Sequence, residues 1–234
     1  MEKEDIENRI IDVLGDICPT FEIGEHKYTI HPKTLGKMFL YDRLRSEMGV
    51  NVEAMKANPL FEVLRVCKEK KPLVLRMLAY ATLHGKSDVF DETLIASRVQ
   101  DFEGLKNNDL ATLMLSLLMD NDIADFTKYF KIDIDDENRK RVARVKEDKG
   151  TISFGGRSIW GTIIDFACSR YGWTLEHVVW EISYTNLMML YKDKAETAYL
   201  NKDELKKARL KSTEAVLSAD DPKNMEKIMK MFSN

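Results

Sequence analysis

A few residues in this chain stand near the spacings that chemistry requires. "HGKS" at 84–87 closes as a phosphate-binding loop closes, with Gly85, Lys86 and Ser87. Such a loop also needs a glycine five residues before Gly85, and a strand before that; Tyr80 stands there instead. "DIDDEN" at 133–138 has the acidic density of a calcium loop. It lacks the turn glycine, and its twelfth position is Arg144, where a bidentate glutamate is needed. Carboxylates at a helix N-terminus explain it better, because they complement the helix dipole. His177 and Glu181 stand four apart on one helical face and could share a metal. His26, His31 and His84 lie elsewhere, so a surface pair is the simpler reading. Cys18, Cys67 and Cys168 are scattered, without CxxC spacing, and read as reduced thiols of a cytoplasmic protein. No nucleophile, base or metal set assembles, so the expectation is a non-enzyme without cofactor or metal.

Charge excludes further classes. With 36 basic and 39 acidic residues, the net charge is −3, and no long-range field draws the chain to nucleic acid or an anionic membrane. "ENRKRVARVK" at 137–146 is locally basic, but Asp136, Glu137, Glu147 and Asp148 flank it, which suits a solvated face. The N-terminus "MEKEDIENRI" is not expected to be a signal peptide, and no apolar run reaches the roughly 18 residues of a membrane span.

The elements that would hold these residues are mostly helices. Glycine and proline are sparse, and Leu, Met, Lys and Glu are abundant. Ile6, Ile10, Val13, Leu14 and Ile17 form one helical stripe over 4–17, stopped by Pro19. Phe21, Ile23, Tyr28 and Ile30 then alternate with polar residues around a "GEHK" turn, predicting a β-hairpin at about 21–30. Helices follow from Leu35 and over 59–130. Pro59 and Pro72 sit as first-turn prolines, Asp91 and Asp109 as caps, and "PLVLRMLAYATLHG" as a central buried helix. The fold class is mainly α, a multi-helix bundle with one short N-terminal hairpin. The domain expectation is 1–134 helical with the hairpin, 135–150 a charged linker or solvated helix, and 151–234 a C-terminal helical domain. "TISFGG" at 151–156 allows a short extended piece. Met225, Ile228, Met229 and Phe232 form the stripe of a closing helix.

The stretch "RYGWTLEHVVWEISYTNLMMLY", 170–191, carries unusual aromatic weight. Helix 158–171 has one narrow polar stripe and reads as mostly buried, with Trp160 in core. Gly172 breaks it and Thr174 caps the next helix, where Leu175, Val178, Val179 and Ile182 face inward. Trp180 falls among Glu176, His177 and Glu181. A third helix, 185–200, turns Leu187, Met188, Tyr191, Ala195 and Ala198 inward and sets Met189 on its polar side. Trp180 and Met189 therefore stand where an exposed face is expected. Either a neighbouring helix covers them or they belong to a partner-binding patch; Trp173, in the turn, fits both.

Two segments resemble a known family. "FEIGEHKYTIHPKTLGKMFLYDRL" resembles the opening of long-form bacteriophage tail assembly chaperones, through Gly24, Tyr28, Ile30, Pro32, Thr34, Leu35 and Gly36. "IWGTIIDFACSRYGWTLEHVVWEISYTNLMML" is similar to their C-terminal helical segment, through Asp165, Tyr171–Trp173 and the two helices that follow. The resemblance covers about 55 residues, within 21–44 and 159–190. It implies a chaperone that binds the apolar tape measure protein and recruits tail tube proteins in the cytoplasm of the infected bacterial host. It implies neither membrane nor nucleic acid, and leaves homo-oligomer formation open. Expected partner-binding residues are Trp180, Met189, Trp173, Met225, Ile228, Met229 and Phe232. The competing readings are a DNA-binding helix–turn–helix of phage packaging or regulation, over 158–200, and a structural virion connector.

Overall fold

Alternation of Phe21 and Ile23 with polar neighbours builds a two-stranded antiparallel hairpin, β1 (Thr20–Ile23) and β2 (His26–Thr29), with Phe21 opposite Tyr28. The turn is tighter than the predicted four residues. Gly24 and Glu25 alone make it, and Gly24 takes the left-handed φ of 61° that favours glycine there. A computed structural model of the chain describes residues 3–119, 122–147 and 156–210. The C-terminal stripe Met225, Ile228, Met229 and Phe232 and most of "TISFGG" lie outside the described residues. The architecture is mainly α with this single N-terminal hairpin.

Two compact units group the chain differently from its linear order. The first takes Met1–Ile132 together with Gly155–Lys194, and the second takes Asp133–Phe154 with Ala195–Asn234. The sequence placed all of 151–234 in a separate C-terminal domain; the contacts group residues 155–194 with 1–132 instead.

In the first unit the main core surrounds α5 (Lys71–Thr82), whose residues Val74–Thr82 are all buried except Arg76. Around it stand α2 (Leu35–Met48), α4 (Pro59–Glu69), α7 (Glu92–Phe102) and α8 (Asn107–Leu118). Asp91 caps α7 as predicted, accepting from the Thr93 and Leu94 amides. Asp109 does not cap α8: the helix begins two residues earlier, so its carboxylate complements the first turn instead. The hairpin docks on α7, with Tyr28 edge-on to Phe102 at 5.0 Å and the Arg98 guanidinium over the Tyr28 ring at 5.1 Å.

A second cluster is built by α11 (Ile159–Tyr171), α12 (Leu175–Trp180) and α13 (Tyr184–Lys192) around Ile163, Ala167, Val178, Leu187 and Met188. Thr174 caps α12 as predicted, Ser158 caps α11 rather than beginning it as expected, and Gly172 ends α11 at a φ of 67°. Four expectations need correction here. Within α11 only Ile163 and Ala167 are fully buried, because the cluster covers one stripe and leaves Ile159 exposed. Trp160 is partly buried, edge-on to Phe39 at 5.1 Å. Leu175 is 60% exposed, because a six-residue helix offers one inward position, taken by Val178. The helix predicted to reach residue 200 ends at Lys192: Ala195 and Ala198 have little surface to bury, and short helices depend on burial.

The join between residues 33–36 and 180–184 positions the second cluster. Thr34 pairs with Ser183 in an isolated antiparallel bridge, and the Tyr184 amide donates to the Lys33 carbonyl at 2.6 Å. The Trp180 ring lies flat against Gly36: a Cβ there would meet three ring carbons at 2.5–2.6 Å. Phe90 closes the ring's other side, edge-on at 5.4 Å.

In the second unit, most of the charged helix α10 (Ile132–Glu147) carries Arg139, which reaches Asp136 at 2.9 Å and Glu196 at 3.4 Å. Asp133 and Asp135 occupy the helix's first turn, as the acidic reading of "DIDDEN" expects. α14 (Lys202–Ala208) opens with a capping box between Asn201 and Glu204.

Gly36→Ala is expected to lower stability by about 1–3 kcal/mol through forced displacement of the Trp180 ring. Urea denaturation followed by tryptophan fluorescence measures it; an unchanged midpoint would remove the close-packing account.

Candidate functional site

Three helices distant in sequence enclose one apolar groove of about 430 Å³ in the first unit. α1 (Lys3–Leu14) gives one wall with Ile10, Val13 and Leu14. α9 (Asp122–Tyr129) supplies Phe126, with Phe130 just beyond its end. α13 supplies Asn186, Met189 and Leu190, and Ile182 precedes it. Arg170, Tyr171, Asp193 and Lys194 line the groove with charged and phenolic groups. Phe126 is buried as a floor, whereas Leu14 is 70%, Phe130 48% and Tyr171 38% exposed.

The walls are held by polar contacts. Arg9 of α1 binds Asp122 and also reaches Asp125, at 3.1 Å, both on α9. These carboxylates hold the guanidinium even more firmly protonated than usual, against the cost of its burial. Its charged plane lies 5.7 Å from the Phe126 ring centre. Tyr129 donates to Glu7 at 2.6 Å, and the Asn186 side-chain amide donates to the Val13 carbonyl at 3.0 Å. The outcome is an open trough, apolar for most of its lining and rimmed by Arg170, Asp193 and Lys194.

The sequence-predicted residues separate in this geometry. Met189 lies in the groove. Trp180 is partly buried in the join with α2, under Gly36 and Phe90, so a neighbouring helix accounts for it. Trp173 stacks on Tyr171 at 4.8 Å and meets His177 edge-on at 5.1 Å, so it backs Tyr171. The sequence reading missed Leu14, Phe130, Tyr171 and Leu190 as groove residues. A signal existed for α1: a clear apolar stripe, and in the structure none of its residues from Glu4 to Leu14 is fully buried. No spacing in the sequence foretells that α1 meets α9 and α13.

A second cavity, about 620 Å³, opens on the other side of α1. Arg9, Asp12, Asp16, Cys18, His31 and Lys33 are among its lining, so it is far more polar than the groove. Burial and Asp16 push the Cys18 thiol up, with Lys37 opposing them. Among the described residues, no three His, Cys, Asp or Glu side chains gather as metal ligands. No helix among them is long and apolar enough to cross a membrane.

Beside this cavity lies the buried amine of Lys37, 2% exposed on α2, brought down to about 8 by burial, with Cys18 and Asp88 opposing. Its ordinary value is 10.5. The unfolded chain therefore binds the proton more readily, and Lys37 destabilises the fold below pH 8. That cost fades as pH rises to 10.5. Lys37→Met is expected to gain about 3 kcal/mol at neutral pH, with the gain shrinking toward zero near pH 10.5. Urea denaturation at both pH values checks this; a gain independent of pH would reject the electrostatic origin.

Comparisons with protein-family models, with curated proteins and with solved structures give no match for this chain.

Proposed function

We propose that this protein is an assembly chaperone that holds an apolar helical segment of another protein in the groove between α1, α9 and α13. The observation that carries this reading is the groove itself: an open trough whose apolar residues come from three helices. Such a surface suits an amphipathic helix, which lays anchors at i, i+3, i+4 and i+7 into it. Methionine suits reversible, sequence-tolerant contact, because its side chain is unbranched and polarisable. Met189 is the methionine in the groove.

The resemblance to phage tail assembly chaperones names the client class as the tape measure protein, with tail tube proteins as later partners. The matching residues Gly24, Thr34 and Gly36 have structural work in this fold: the hairpin turn, the α2 cap and the seat of Trp180. The described part of the site is Met189 with Leu14, Phe130, Tyr171 and Leu190 around it; Trp173 contributes by backing Tyr171. Met225, Ile228, Met229 and Phe232 stay in the proposal on their sequence pattern alone.

Leu14→Asp with Met189→Asp tests the groove, since neither residue is fully buried. In co-expression with tape measure protein, recovery of the client is expected to fall at least about tenfold, as loss of two interface anchors implies. The helical circular dichroism should stay unchanged. Undiminished recovery by this variant would dismiss the groove as the site, and no recovery by the parent protein would dismiss the client. A gel shift that weakens with salt would favour the helix–turn–helix reading instead.

A further inference from the structure

The groove changes character along its length. α1, α9 and Phe130 contribute only apolar side chains to it among the described residues. On α13, Met189 and Leu190 turn toward it, and Asp193 and Lys194 continue the lining just past the helix's end. Arg170 and Tyr171, the last two residues of α11, line it as well. Charge therefore enters the groove where α11 and α13 end.

Aromatic faces hold the two cations there. The Arg170 guanidinium lies 5.8 Å from the centre of the Phe166 ring. The Lys194 ammonium lies 5.9 Å from the same ring and 5.3 Å from the Tyr191 ring. Phe166 is braced in turn, edge-on to Tyr171 at 5.8 Å and to Tyr191 at 5.4 Å. Arg170 makes no ion pair among the described residues. Asp193, exposed, is the one carboxylate in the lining among the described residues. Two cations against one carboxylate leave this end of the groove positive, on a chain whose net charge is −3.

We propose that this end of the groove selects its client by charge: the bound helix carries an aspartate or glutamate one turn beyond its last apolar anchor, and that carboxylate docks on Arg170 and Lys194. The inference rests on the groove being the client site and adds what the client must carry. Apolar contact alone discriminates poorly among amphipathic helices, because a repeating stripe fits again after sliding along the groove. A charge at one end fixes the register and rejects helices with the wrong sign there. Arg170 suits the task, since a guanidinium can give a carboxylate two parallel hydrogen bonds, and a side chain already laid on a ring loses less freedom on binding. The spacing follows from helix geometry. A client helix packed along α13 advances by the same rise, about 1.5 Å per residue. A residue one turn past the anchor that meets Leu190 therefore falls near Lys194. A basic residue at that point would meet two like charges.

Three labelled helical peptides test this. They share one apolar stripe and differ at a single position one turn past the last anchor, which is Glu, Gln or Lys. Binding to the full chain is followed by fluorescence anisotropy at roughly 20 mM salt, where surface charges are weakly screened. The Glu peptide is expected to bind about fivefold tighter than the Gln peptide, and the Lys peptide about fivefold more weakly. With Arg170→Gln and Lys194→Gln together, both exchanges at partly or fully exposed positions, the preference for Glu over Lys is expected to vanish or reverse. Equal binding of the three peptides, or a preference that survives the double exchange, overturns the charge selection and leaves the groove standing. No binding by any peptide, or undiminished binding to the chain with Leu14→Asp and Met189→Asp, overturns the groove reading and the selection with it.

Discussion

Residues 33–36 meet residues 180–184 through two backbone links and one ring: the Thr34–Ser183 bridge, the Tyr184 amide on the Lys33 carbonyl, and Trp180 against Gly36. These groups stand about 150 residues apart in the chain, so closing the loop between them costs conformational entropy that local contacts cannot offset. The join supplies the compensation at one place. It fixes where α13 begins, and hence where Met189 and Leu190 face. The same segment ties the hairpin exit to the core, since the His31 amide donates to the Ala81 carbonyl at 2.9 Å. Without a glycine at position 36 the indole could not approach, and α12 would have no flat seat on α2.

Local structure was readable from the residues; tertiary partnership was not. Asp91 and Thr174 could be named as caps because capping chemistry acts within three residues. The hairpin and the buried character of α5 followed from period and composition. Failures came where an element's environment decided the outcome. Periodicity shows that Trp180 interrupts a polar face, but not that Gly36 waits for it on α2. Likewise α1 shows an apolar stripe, but its bounding of an open groove rather than a closed core depends on α9 and α13. The end of α13 at Lys192 carried no breaker signal; it reflects a lack of apolar surface to bury beyond it.

The groove and the Trp180–Gly36 joint are two different uses of apolar surface in the first unit. The groove is lined mostly by apolar side chains and opens to solvent. The joint is closed by an aromatic ring over a glycine, beside an amine that the fold leaves without an acceptor. Natural sequences retain destabilising groups most readily where a function uses them.

The attachment of α1 has a consequence of its own. Arg9 with Asp122 and Asp125, Glu7 with Tyr129, and Val13 with Asn186 hold this helix, and none of its residues from Glu4 to Leu14 is fully buried. Salt screens ion pairs that face solvent but leaves apolar contact largely intact, or strengthens it. The wall made by α1 is therefore tethered in part by ion pairs, while the floor at Phe126 rests on apolar burial. Of the contacts that hold α1, the Arg9 pairs are the ones that ionic strength weakens, whereas the apolar floor at Phe126 does not depend on charge.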